Sequence, residues 1–311
     1  MERKRPIAMV AVFIAATLFG FIGLCSRYFY NDCNLGPMEV TMIRVLVSSV
    51  AMLVVIGIFA RNQLQIGLKN IPLMIAFGAF KMASDVTFFF SQNTITLCLS
   101  TLLQMTAPYY VMLLSLMLFK ERLTFKKMMC MGIGTIGCIL VTGILFGELD
   151  IQVEGILSAL LSGLFLGLFM ICSKFSNDRG IKPSASLFYA MLVADILTIP
   201  FCNVGDIVTA VSDPVGIGNA LALGILMTLI PYYLFVWSTQ HIEPTLAIII
   251  SVSEVVTAAI VGFIFFDEKL TVFGMIGMIL IMMSVILMSV KFRRVFKKRF
   301  AKYIHSESNH S

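Results

Sequence analysis

Phe119-Lys120-Glu121-Arg122-Leu123-Thr124 returns later in the chain as Phe266-Asp267-Glu268-Lys269-Leu270-Thr271, 147 residues on. Cys25-Ser26-Arg27 returns as Cys172-Ser173-Lys174 at the same offset of 147. The loop that follows, Asn31-Asp32 with Pro37, returns as Asn177-Asp178 with Pro183, one residue out of step. Recurrence at one fixed spacing means that a structural unit is used twice. The chain therefore divides into two halves, 1–147 and 148–311.

Composition says what kind of unit it is. Of 311 residues, 59% are hydrophobic and 13% charged, and the mean hydropathy is +0.96. Soluble domains carry about 25% charged residues, so this chain has too little polar surface to cover a globule in water. A secreted enzyme, a nucleic-acid-binding module and a disordered regulator are excluded on that ground. An apolar run of about 20 residues crosses a bilayer. Charges, prolines and asparagines divide the sequence into ten such runs: 7–29, 38–59, 71–91, 95–119, 126–146, 154–175, 184–202, 216–237, 244–266 and 270–291. The expectation is an all-α membrane protein of about ten transmembrane helices.

Five runs fall in each half, and an odd number makes the second half enter the membrane from the opposite side. Two inverted five-helix repeats can rock about a shared axis and open a central site to either face, the basis of alternating access. Lys and Arg set the orientation. With a cytoplasmic N-terminus, the inside segments hold 19 of the 23 Lys and Arg, seven of them between Lys291 and Lys302. Both termini are thus expected in the cytoplasm, with the chain in the cytoplasmic membrane. The basic tail reads as a topology anchor or as a contact to anionic lipid. The seven cysteines form no C-x-x-C pair and read as small packing residues.

The paired motifs carry a resemblance. Pro37 and Arg44 opening the second run, Ala107-Pro108 before Phe119-Lys120-Glu121-Arg122-Leu123-Thr124, and Glu254-Val255 before Phe266-Asp267-Glu268-Lys269-Leu270-Thr271 with Gly274 resemble the drug/metabolite transporter superfamily. The branch they resemble is the EamA-type ten-helix transporters, over nearly the whole chain. The resemblance implies a central solute cavity walled by helices of both halves, and transport of amino acids, nucleotide sugars or other small metabolites. Members often have Glu-Pro where this chain has Glu254-Val255, so the resemblance does not imply a proline break in the ninth run.

Ionisable residues inside apolar runs are costly and mark function or pairing. Lys81 and Asp85 are spaced i, i+4 on one helix face; they read either as a self-neutralising pair or as solute contacts. Glu254 stands mid-run with Ala107 as its repeat counterpart, so symmetry does not require it, and it reads as a cavity carboxylate. Gln104, one turn before Pro108, lies where freed backbone carbonyls can meet a solute. Tyr109 and Tyr232 are candidates to line a cavity. Trp237 is either a cavity wall or an interfacial anchor. Arg44 and Asp195 fit interhelical pairing as well as solute contact. One cation and two carboxylates, Lys81 with Asp85 and Glu254, could hold a zwitterion.

No metal or hydrolytic constellation appears, and no cofactor is expected. Gly132-Ile133-Gly134-Thr135-Ile136-Gly137 satisfies G-x-G-x-x-G but lies in an apolar run with no strand before it, and no P-loop motif is present. The function expected is a secondary transporter of small organic metabolites, amino acids or related solutes, with the lipid bilayer and a solute as partners and no nucleic acid. The alternative is a membrane-embedded enzyme or lipid-handling protein, which would need a polar catalytic cluster at one interface.

Overall fold

The computed structural model describes residues 4–59, 66–95, 97–119, 124–142, 152–265 and 272–289. Most of both copies of the repeated hexapeptide, residues 143–151 and the basic tail lie outside the described residues. Among the described residues there is no strand. In the first half α1 (Arg5–Gly20), α2 (Ile22–Asn31), α3 (Pro37–Phe59), α4 (Ile71–Thr94), α5 (Leu97–Gln104), α6 (Ala107–Phe119) and α7 (Phe125–Thr142) follow in order. The second half runs through α8 (Val153–Asp178), α9 (Pro183–Thr198), α10 (Val204–Ala210), α11 (Pro214–Leu221), α12 (Ile230–Ser238), α13 (Pro244–Ser251), α14 (Glu254–Phe265) and α15 (Val272–Ser289).

Among the described residues, eight helical stretches are long and apolar enough to cross a membrane: Arg5–Asn31, Pro37–Ile58, Leu68–Thr94, Leu99–Phe119, Val153–Asp178, Pro183–Phe201, Pro214–Ser238 and Pro244–Phe265. Two further apolar runs form α7 and α15, 18 residues each, which pack along one another. Large apolar side chains such as Ile7, Val10, Val54, Ile58, Met117 and Ile279 point outward, as lipid-facing surface requires.

Several of these stretches are interrupted, each for a local reason. Pro108 cannot donate to the carbonyl of Gln104 and its ring crowds that oxygen, so α5 stops at Gln104 and α6 starts at Ala107. The repeat-related break between α13 and α14 falls at Val252 and Ser253, although Val255 stands where the first half has Pro108. Here two serines do the work: Ser251 Oγ donates to the Ala247 carbonyl at 3.1 Å and Ser253 Oγ to the Ile250 carbonyl at 2.9 Å. Such back-bonding competes with the helical ladder and bends it. Between α11 and α12 the helix widens into a π turn over Ala222–Leu229, ahead of Pro231, and Thr228 Oγ1 donates to the Leu223 carbonyl at 2.6 Å.

Packing follows a pattern across the two halves. α4 lies along α8 and α9; α1 lies along α12, α13 and α14; α3 lies along α9 and the π turn; α5 and α6 lie on α8. Close approaches occur at several glycines, and four of them form two matched pairs. A Cβ on Gly78 would lie 2.6 Å from the Ala190 carbonyl and 2.5 Å from Val193 Cβ. One on Gly224 would lie 3.3 Å from the Arg44 carbonyl and 2.5 Å from Val47 Cβ; every residue of the second contact is 146 positions from its counterpart in the first. Gly20 against Glu254 and Thr257 matches Gly167 against Ala107 and Tyr110, here at an offset of 147.

These approaches predict a contrast between two glycines. Gly78→Ala forces backbone of α4 from α9 and is expected to cost about 1–3 kcal/mol, as overpacking does. Gly132 on α7 has nothing within 4 Å of an added Cβ. Gly132→Ala is therefore expected to be neutral or to stabilise by up to about 1 kcal/mol through helix propensity. Thermal midpoints of the two purified variants check this, and equal midpoints would dismiss the α4–α9 contact as a tight one.

Candidate functional site

Helices from both halves bring a set of charged side chains into the apolar interior. Arg44 on α3, Lys81 and Asp85 on α4, Asp195 on α9 and Glu254 at the start of α14 are all buried. A buried charge is tolerated only where a partner or hydrogen bonds meet it, so the partners define what each group does.

Asp85 stands between two cations. Its Oδ1 accepts from Arg44 Nη1 at 3.2 Å, and its Oδ2 pairs with the Lys81 ammonium one turn earlier on the same helix. Arg44 Nε donates to Thr228 Oγ1 at 2.7 Å, which the π turn presents to α3. The guanidinium carbon also lies 5.4 Å from the Phe89 ring centre and 5.7 Å from that of Tyr232, while Lys81 Nζ lies 4.4 Å from the Tyr232 ring centre. Aromatic faces attract cations by their quadrupole, more strongly away from water. Tyr232 is held in turn by Phe19 and Phe169, edge-to-face at 4.8 and 5.3 Å.

Two carboxyl groups are left over. Asp195 Oδ2 accepts from Ser49 Oγ at 2.5 Å, and its Oδ1 has no partner among the described residues. Ser49 and Asp195 are 146 residues apart, the offset that relates Pro37 to Pro183, so this bond joins equivalent points of the two halves. Glu254, 8% exposed, and Gln104, 7% exposed, face a cavity of about 30 Å³ lined also by Arg44, Asp85, Tyr232 and Ser251. Neither the Glu254 carboxylate nor the Gln104 amide has a hydrogen-bond partner among the described residues. The space is narrow and polar, with room for water or a small polar group.

The sequence-derived candidates are thus placed as follows. Asp85, Gln104, Tyr232 and Glu254 meet at the small cavity. Lys81 stands behind it, committed to Asp85 and to the Tyr232 face; the cation that lines the cavity is Arg44. Tyr109 is 40% exposed and lines a different, apolar chamber, where its hydroxyl bonds to Thr135. Trp237 packs against the main core with its ring 4.7 Å from that of His241 and lines neither cavity. Asp195, in the last turn of α9, is buried with its carboxylate on Ser49 of α3. The signal for Arg44 was its charge inside an apolar run; what it lacked in sequence was a partner, because Asp85 and Thr228 lie 41 and 184 residues away. Among the described residues no group of His, Cys, Asp and Glu is arranged to hold a metal ion.

Comparison with known proteins places this architecture. The family model described as "EamA-like transporter family" matches twice, over residues 6–143 and 153–290. An uncharacterized transporter of Archaeoglobus fulgidus is 25% identical over 285 residues, covering 89% of this chain and 94% of that protein. The uncharacterized transporter YwfM of Bacillus subtilis is 24% identical over 295 residues, 94% of this chain and 96% of its own. One from Helicobacter pylori is 25% identical over 297 residues, covering 90% and 93%. A crystal structure with 15% sequence identity superposes with a TM-score of 0.74 over 94% of this chain and 99% of that one, a likeness of fold.

Proposed function

Because the chain belongs to the EamA-like transporter family, we propose that it is a secondary transporter carrying small organic metabolites, amino acids or related solutes, across the cytoplasmic membrane by alternating access. The observation that carries this reading is the cavity lined from both halves, where Glu254 and Gln104 present polar groups without hydrogen-bond partners among the described residues. Leaving such groups unmade in an apolar interior costs free energy, and a solute that meets them recovers it. The polar space is narrow, about 30 Å³, so helices of the two halves must part to admit a whole metabolite.

Ten crossings in two inverted repeats, 1–147 and 148–311, complete the proposal. The matched glycine contacts at offsets of 146 and 147 and the Ser49–Asp195 bond support a pseudo-two-fold axis. The double match of one family model to the two halves supports it as well. Residues near such an axis contact their own equivalents, and rocking about it exchanges inward- and outward-open forms.

The test is counterflow in proteoliposomes loaded with a mixed metabolite pool. Exchange of a labelled solute supports the transporter; chemical turnover of a pool component without any solute movement would favour a membrane enzyme or lipid-handling protein. Orientation is tested separately. With both termini cytoplasmic, an impermeant thiol reagent on intact cells is expected to label a protein whose sole cysteine is Cys33. It should spare one whose sole cysteine is placed in the 120–127 loop, and the opposite pattern would invert the topology.

A further inference from the structure

The polar cavity has a neighbour. Between α5, α6, α7, α13 and α15 lies an apolar chamber of about 410 Å³, in the size range of small-molecule sites. Leu102, Met131, Ile139, Ile249 and Val252 are among its walls, with hydroxyls of Thr106, Tyr109, Thr135 and Ser284 and no charged side chain. Met105 lines both spaces. The partition between them is built from the two helix breaks: Met105 and Thr106 in the first half, Val252 in the second, with Gln104, Ser251 and Glu254 on the polar side. Backbone at a break is less tightly laddered than in a continuous helix, and Met is the most adaptable of apolar side chains.

Charge indicates what the polar side lacks. Two cations, Arg44 and Lys81, face three carboxyl groups, Asp85, Asp195 and Glu254. Both cations already hold Asp85, and Arg44 also holds Thr228. The carboxylate that lines the cavity without a donor is Glu254. The missing element is one positive charge with hydrogen-bond donors, and the narrow polar space beside Glu254 suits an ammonium group.

From this we infer that the transported solute is an organic amine with a bulky apolar body, its ammonium beside Glu254 and its body in the chamber beyond Met105. The inference rests on the transporter reading and narrows its substrate class. The ammonium replaces lost water with charge-assisted bonds to Glu254 and with the Gln104 carbonyl oxygen. The body gains by leaving water for the chamber. A small hydrophilic amine fills only the first space, and an apolar acid meets Glu254 with like charge.

The test uses purified protein in lipid nanodiscs, titrated with cyclohexylmethylamine, methylamine and cyclohexanecarboxylate while the thermal midpoint is read. Cyclohexylmethylamine is expected to raise the midpoint saturably, and the other two, at equal concentrations, are not. Glu254→Gln should remove the response. Gly134→Leu, which projects into the chamber toward Ser284 and Val252, should weaken the apparent affinity at least tenfold; Cys138→Leu serves the same purpose should the first variant fail to fold. An equal response to cyclohexanecarboxylate, a response untouched by the chamber-filling variants, or no saturable response to cyclohexylmethylamine at millimolar concentration would each overturn the inference. So would a lipid that copurifies with the wild type, is released by Gly134→Leu and is not displaced by the amine, since the chamber would then hold an acyl chain. Counterflow of some other solute alongside any of these results would leave the transporter reading standing.

Discussion

Asp85→Asn is expected to destabilise the protein by about 3–5 kcal/mol, the cost of breaking a buried ion pair by removing one partner. The size of the effect follows from what remains. Arg44 and Lys81 are 2% and 1% exposed, both use the Asp85 carboxylate, and the amide would leave two cations in an apolar interior with no anion in contact. Thr228 and the Tyr232 face offset part of this for each, but neither supplies a negative charge. Removing a cation together with the anion restores balance, so Lys81→Met with Asp85→Asn is expected to recover a large share of the lost stability, Arg44 alone then being uncompensated. Thermal midpoints of wild type, both single variants and the double variant in one detergent check the cycle. An Asp85→Asn protein as stable as wild type would mean that this carboxylate does not hold the two cations together.

Glu254→Gln is expected to do the reverse: to leave folding intact and cut transport severely. Its carboxylate makes no hydrogen bond among the described residues, so the isosteric amide breaks none; it removes the penalty of a buried charge and gives up only the through-space attraction of Arg44. What is lost is the charge-assisted hydrogen bond to solute, worth about 1.5–3 kcal/mol, or roughly a ten- to hundredfold drop in transport. Counterflow of whichever solute the wild type exchanges, measured beside the thermal midpoint of the variant, separates the two roles. Wild-type exchange by a well-folded Glu254→Gln protein would return Glu254 to a structural part. Gln104→Ala is a weaker version of the same experiment, since a neutral amide contributes a neutral hydrogen bond.

How much of this site could be read beforehand depended on distance along the chain. Lys81 and Asp85 were legible as a pair because one helical turn brings i and i+4 together regardless of the rest of the fold. Gln104 and Glu254 were legible as buried polar groups in apolar runs. Which cation lines the small cavity was not: Arg44 does, with Lys81 behind it on Asp85 and the Tyr232 face, and only the packing of α3 against α4 and the π turn decides this. Tyr109 and Trp237 were grouped with the cavity on residue type alone, and aromatic rings say little about which surface of a helix they occupy.

The sequence by itself determined the membrane class, the positions of the apolar runs and the recurrence of motifs at 147 residues, because hydropathy, charge placement and spacing are properties of the chain's own order. Tertiary structure alone decided where α13 gives way to α14 without a proline, since serine back-bonding is one of several local outcomes until neighbours choose it. It alone decided that Arg44, Asp85 and Thr228 meet, and that an apolar chamber abuts the Glu254 cavity. Such arrangements arise from which helix faces bury one another, a long-range result of packing that no local spacing contains.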